Sequence, residues 1–139
     1  MVQKKHTDPV FEFMKRRFDI SLKIWHAIPL ESQDKSVKNI SPVLAELDPL
    51  VLNSLYQITA MSKSAALAFT LLYRGDIEDG EEIERLSLHE AVNISRVDEQ
   101  YQQSICGVVE GAHDFDKINH LTTFSTARTL VELAQQREF

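Results

Sequence analysis

The apolar positions along this chain recur mostly at three- and four-residue steps, the period of an amphipathic helix. Val10, Phe11, Met14 and Phe18 share one face, with Lys15, Arg16 and Arg17 opposite. Asp8-Pro9 reads as a cap followed by proline in the first helical position, and Asp19 as the stop. Ile20–Trp25 (ISLKIW) then alternates apolar and polar until its last residue, which predicts at most one short strand. From Asp34 the helical period returns. Ser41-Pro42 predicts a fresh turn leading through Val43, Leu44 and Leu47, and Asp48-Pro49 opens a helix through Leu50, Leu52, Leu55, Ile58 and Met61. Ser62-Lys63-Ser64 bends or interrupts the run into Ala65–Tyr73, with Gly75 as its stop.

Ser87 with Glu90 three residues later forms a capping-box pattern. The following helix carries Ala91, Ile94, Val97 and Tyr101 or Ile105 on its apolar face, punctuated by Gly107 and Gly111. A last helix capped by Asp114 or Asp116 uses Ile118, Leu121, Phe124, Ala127, Leu130 and Ala134. The expected fold is mainly α: a compact bundle of five or six helices with at most one short strand near the N-terminus, forming a single domain over residues 1–139.

Composition narrows the function. The 139 residues carry 21 Asp+Glu against 15 Lys+Arg, a net charge of −6, which argues against a protein whose main work is gripping phosphate backbones. The acidic stretch Asp76–Glu84 reads as a solvated surface loop. One cysteine, Cys106, forms no internal disulfide and is expected to pack as a small apolar residue. The longest apolar run, Ala65–Tyr73, spans nine residues where a membrane helix needs about 20, so it reads as a buried helix core. MVQKKHTDPVFEF offers neither a secretory apolar run nor the Arg- and Ser-rich, acid-free character of a mitochondrial presequence.

Chemistry is sparse. No phosphate loop, dinucleotide fingerprint, nucleophile elbow or paired-cysteine zinc pattern occurs, and no cofactor is implied. In EGAHDFDKINH, His113, Asp116 and His120 fall near one face if helical and form a conceivable metal-ligand set, against a competing role of the aspartates as caps. A hydrolase reading needs Ser62 or Ser64 with His113 and Asp114, but adjacent His and Asp cannot orient one another as a triad requires. Cys106 with His113 gives no better nucleophile. Arg96, Glu99 and Gln102 or Gln103 line one side of a helix, either as an exposed ion-paired face or as the polar rim of a protein contact.

The string AVNISRVDEQYQQSICGVVEGAHDFD resembles the signature of the ATP synthase alpha-subunit assembly chaperone family (mitochondrial ATP synthase assembly factor two), a pattern of the form A-V-x-x-S-R-[LV]-[DE]-E-x-Y-Q-x-x-x-W-G-x-x-E-W-x-H-D. Ser95, Arg96, Asp98, Glu99, Tyr101, Gln102, Gly107, Glu110, His113 and Asp114 fall on it without a gap. DPVFEFMKRRFDISL and LDPLVLNSLYQITAMSKSAALAFTLLYRG are similar to upstream family elements in the same order. Cys106 and Gly111 stand where the signature has tryptophans, and the family's N-terminal β-rich domain has no counterpart here. The resemblance implies a non-catalytic chaperone of the mitochondrial matrix that holds the free alpha subunit and prevents its aggregation before it meets beta. It implies a partner-binding surface at Glu110, His113 and Asp114, supported by Arg96, Glu99 and Gln102. The alternative it leaves is a structural accessory subunit of a mitochondrial complex, with a separate N-terminal domain chain or the complex itself as partner. Neither nucleic acid nor a membrane span is expected.

Overall fold

A computed structural model describes residues 2–24, 32, 34–73, 86–108 and 110–136, with side chains from residue 7 onward. Trp25, Gly75 and the acidic stretch Asp76–Glu84 lie outside the described residues. Among the described residues seven helices occur and no strand: α1 (Val2–Phe18), α2 (Asp34–Glu46), α3 (Pro49–Ser62), α4 (Ala65–Leu72), α5 (Leu88–Ser95), α6 (Val97–Cys106) and α7 (Ala112–Gln135). The mainly α expectation holds. The helix count rises because two runs break, at Lys63 and at Arg96, and the alternating Ile20–Ile24 segment forms no strand among the described residues.

Local chemistry sets several ends. Asp48 caps α3 by accepting the Leu50 amide at 2.7 Å, with Pro49 in the first turn. Ser62 Oγ donates to the Ile58 carbonyl (2.7 Å) and accepts the Ser64 amide (3.2 Å). Lys63 swings into left-handed backbone (φ 59°), and Ser64 Oγ then accepts the Leu67 amide to start α4. The capping box at Ser87 forms as expected: Glu90 accepts the Ser87 amide at 2.9 Å and Ser87 Oγ accepts the Glu90 amide at 3.2 Å. Such a cap contributes about 1 kcal/mol.

Other sequence signals yield to their surroundings. Pro9 lies inside α1 and Pro42 inside α2, because the preceding residues already continue each helix; Ser41 Oγ donates back to the Val37 carbonyl at 2.8 Å instead of capping. α7 begins after Gly111 without a side-chain cap, so neither Asp114 nor Asp116 opens it.

The core sits where α7 crosses α3 and α5 and where α4 packs against α1 and α3. Ile58, Ala68, Ala91 and Phe124 are fully buried, with Leu67 and Leu72 beside them. The Ala65–Tyr73 run is the buried helix its composition implied, and among the described residues no helix is long and apolar enough to cross a membrane. Phe18 meets Phe13, Phe69 and Tyr73 edge-on at centroid distances of 5.3–5.9 Å, closing α1 onto α4. Arg17 lies over the Tyr73 ring and donates to its hydroxyl at 2.7 Å. At the other end of the sequence the apolar pattern overreaches: Tyr101, Ile105 and Ile118 are 66%, 65% and 63% exposed. Cys106, expected in the core, is exposed as well.

Candidate partner-binding site

The site is built on the break between α5 and α6. Arg96 leaves helical geometry (φ −113°, ψ 20°), and its carbonyl accepts the Gln100 amide at 2.9 Å to start α6. This turn aims the side chain inward, where it is 8% exposed. Its guanidinium forks onto Glu99, Nε to Oε2 at 2.6 Å and Nη2 to Oε1 at 2.7 Å. Nη2 also donates to the His113 carbonyl in the first turn of α7, at 2.7 Å. A planar fork with further donors suits this double duty, which an ammonium could not reproduce with the same geometry.

Around this fork a second layer closes. Gln103 Nε2 donates to Glu99 Oε1 at 3.2 Å and meets His113 Nδ1, which itself lies 3.3 Å from Glu99 Oε1. Nδ1 can accept from the Gln103 amide as a neutral ring nitrogen or donate to Glu99 when it carries the proton. Residues of α6 are thereby fastened to the start of α7 across the turn containing Gly107 and Gly111. Both glycines have φ near +85°, a backbone region that L side chains rarely adopt, and each has open space around its Cα. Their conformational freedom, rather than lack of room, is what the turn requires.

The arrangement separates the six expected site residues into two sets. Arg96, Glu99 and His113 come together in the clamp, joined by Gln103, which the sequence offered only as an alternative to Gln102. Gln102, Glu110 and Asp114 are exposed on the same end of the molecule. Near them, Tyr101 and Ile105 on α6, Val108 just past its end, and Phe115 and Ile118 on α7 are all 63–69% exposed. The exposure of Tyr101, Ile105 and Ile118 was not legible from spacing, which places them on apolar faces.

The other candidate chemistries find no geometry. His113 is engaged with Gln103 and Glu99, while His120 Nδ1 bonds the Asp116 carbonyl at 2.8 Å and its ring meets Phe124 edge-on. Among the described residues no group of His, Cys, Asp and Glu gathers as a metal site. Ser62 and Ser64 serve the α3–α4 turn, not His113.

Hydrogen bonding from Arg96 holds the Glu99 carboxyl below its ordinary range; burial opposes this, and the charges of Arg96 and His113 assist it. A depressed carboxylate stabilises the fold above its unfolded value and loses that contribution as pH falls through the folded one. The melting-temperature gap between the wild-type chain and Glu99→Gln is therefore expected to be widest near neutrality and to shrink as the buffer is taken into the acid range. A gap that stays constant with pH contradicts this coupling.

No protein-family model matches the chain. Two solved structures do match its fold. The crystal structure of Atp12 from Paracoccus denitrificans superposes with a TM-score of 0.75 over 94% of this chain, at 21% identity. Its fold is shared with Atp12. A second structure, an Asp-to-Lys mutant of P. denitrificans Atp12p, gives a TM-score of 0.77 over 95% of the chain at 20% identity. The chain spans about half the length of these Atp12 structures, 52% of each. The clamp and the exposed end both lie within this Atp12-like helical fold.

Proposed function

We propose that this chain is a non-catalytic assembly chaperone that binds the free alpha subunit of the ATP synthase catalytic head, in the mitochondrial matrix, and keeps it from aggregating before it meets beta. The observation that carries the reading is the Atp12 fold over nearly the whole chain, joined to the collinear signature from Ala91 to Asp114. The physical task fits the surface. A free subunit exposes apolar area meant for its neighbour, and such area aggregates unless covered. Tyr101, Ile105, Val108, Phe115 and Ile118 offer apolar contact, while Gln102, Glu110 and Asp114 supply polar groups that fix register. Arg96, Glu99 and His113 act behind them by holding α6 on α7.

Glu110→Lys tests this surface. Glu110 is exposed, so the variant is expected to unfold within about 0.5 kcal/mol of the wild-type chain. It is also expected to lose the ability to keep purified alpha subunit soluble in a light-scattering assay. Undiminished protection by the variant contradicts the assignment, and a lowered melting temperature makes Glu110 a structural residue instead.

The second reading, a permanent accessory subunit of a mitochondrial complex, draws on Cys106 and Gly111. Large aromatic anchors stand at those two positions in the signature, and their absence changes the contact that a transient chaperone makes. Stoichiometry separates the two readings.

A further inference from the structure

Away from the clamp, α2 stands against the rest of the molecule without a single fully buried residue, although Val37, Ile40 and Leu44 recur on one face. Asn39 ties it to the end of α1 by donating to the Phe18 carbonyl at 3.2 Å. Between α2 and α3 runs a groove of about 690 Å³, floored by Met14, Leu55 and Phe69 and walled by Ile40 and Leu44. Its rim keeps Val37, Leu52 and Tyr56 at 57%, 42% and 67% exposure. Lys23 and Lys63 also line it, and among the described residues that do so none is acidic. In a chain of net charge −6, a lysine fixed at the end of an apolar groove favours an occupant that brings carboxylates.

We infer that this groove is a docking site for an amphipathic helix of a partner protein, apolar on one face and carrying carboxylates beside it. The lining runs from Ser36 to Leu44 on α2 and from Leu52 on α3 to Lys63 just past its end, about 12 and 16 Å of helix rise, which matches two to three turns of a guest. An acyl chain is the poorer fit, since small apolar ligands are largely enclosed, whereas these rim side chains stay open to water. Lys63 Nζ donates to the Ala60 carbonyl at 3.0 Å, which fixes its charge at the groove's end and leaves further protons for a carboxylate. This site uses a different face from Glu110 and does not depend on the alpha-subunit reading.

The test uses the purified chain and fluorescein-labelled helical peptides of about 12 residues, sharing one leucine ridge and differing only in whether the flanking positions are Glu, Gln or Lys. Fluorescence anisotropy is expected to show saturable binding of the Glu peptide, at least about tenfold tighter than the Lys peptide. Tyr56→Glu, at an exposed position, is expected to abolish it, and Lys63→Gln to narrow the Glu-to-Lys preference, with the melting temperature of each variant confirming the fold. Equal binding of the three peptides, no saturable binding, or indifference to Tyr56→Glu overturns the proposal. So does saturable uptake of laurate without peptide binding, which makes the groove an amphiphile site, or sedimentation showing a dimer that Tyr56→Glu dissolves. The Glu110→Lys protection assay reads the other face, so either proposal can fail alone.

Discussion

Replacing Phe124 by alanine is expected to destabilise the chain by about 3–5 kcal/mol, the cost of removing a fully buried ring and leaving a cavity that its neighbours cannot collapse into. Phe124 is among the largest side chains with no solvent exposure, midway along the 24-residue α7 where that helix crosses α3 and α5. The loss is a large share of the roughly 5–15 kcal/mol that holds a domain of this kind folded. At about 3–4 °C per kcal/mol for this length, the melting temperature is expected to fall by about 10–20 °C. Phe124→Leu, which keeps most of the volume, is expected to cost less than about 1.5 kcal/mol. Urea unfolding of the three proteins checks this, with the midpoint moving and the slope unchanged. A loss below about 1 kcal/mol for the alanine variant contradicts the central position of α7 in the core.

Arg96→Ala is the second large effect. It leaves the Glu99 carboxylate without its fork and the His113 carbonyl without its donor, and the fold is expected to lose about 3 kcal/mol. The value sits at the low end for a broken buried pair because the Glu99 side chain keeps 24% exposure and can recover some hydration. Arg96→Lys preserves the charge but not the two-pronged geometry, and is expected to lose about half as much. Removing both partners, as Arg96→Ala with Glu99→Ala, is expected to cost less than the sum of the single losses, since neither partner is then left unpaired. Strict additivity in that cycle contradicts the clamp. Protection of the alpha subunit is expected to weaken in Arg96→Ala at temperatures where the chain remains folded, because α6 is freed from α7.

These two residues also show where sequence reasoning reaches. Phe124 falls on the stripe predicted for the last helix, because a long helix crossing a core writes its burial into its period. Asp48-Pro49 and Ser87 with Glu90 are equally legible, since a cap is decided within four residues. Asp8-Pro9 and Ser41-Pro42 present the same local signal yet lie inside helices: a cap acts only where the preceding residues are not already helical. The break at Arg96 has no local sign, as arginine is a good helix former and its turn is held by a carbonyl 17 residues away. Spacing placed Arg96 and Glu99 on one side of a helix; that His113 joins them through its backbone needed the fold. Tyr101, Ile105 and Ile118 share helical faces as predicted, but periodicity says which residues lie together and not what covers them. The resemblance to the assembly-chaperone family named the same end of the chain, while the groove under α2 had no sequence signature.

The most direct test of the proposed role is a tagged pull-down of this chain from mitochondria, with mass spectrometry and native-gel sizing of what it recovers. A transient assembly chaperone predicts substoichiometric alpha subunit, free of beta, in a small complex. Recovery of a large complex at fixed stoichiometry, or no alpha subunit at all, contradicts it.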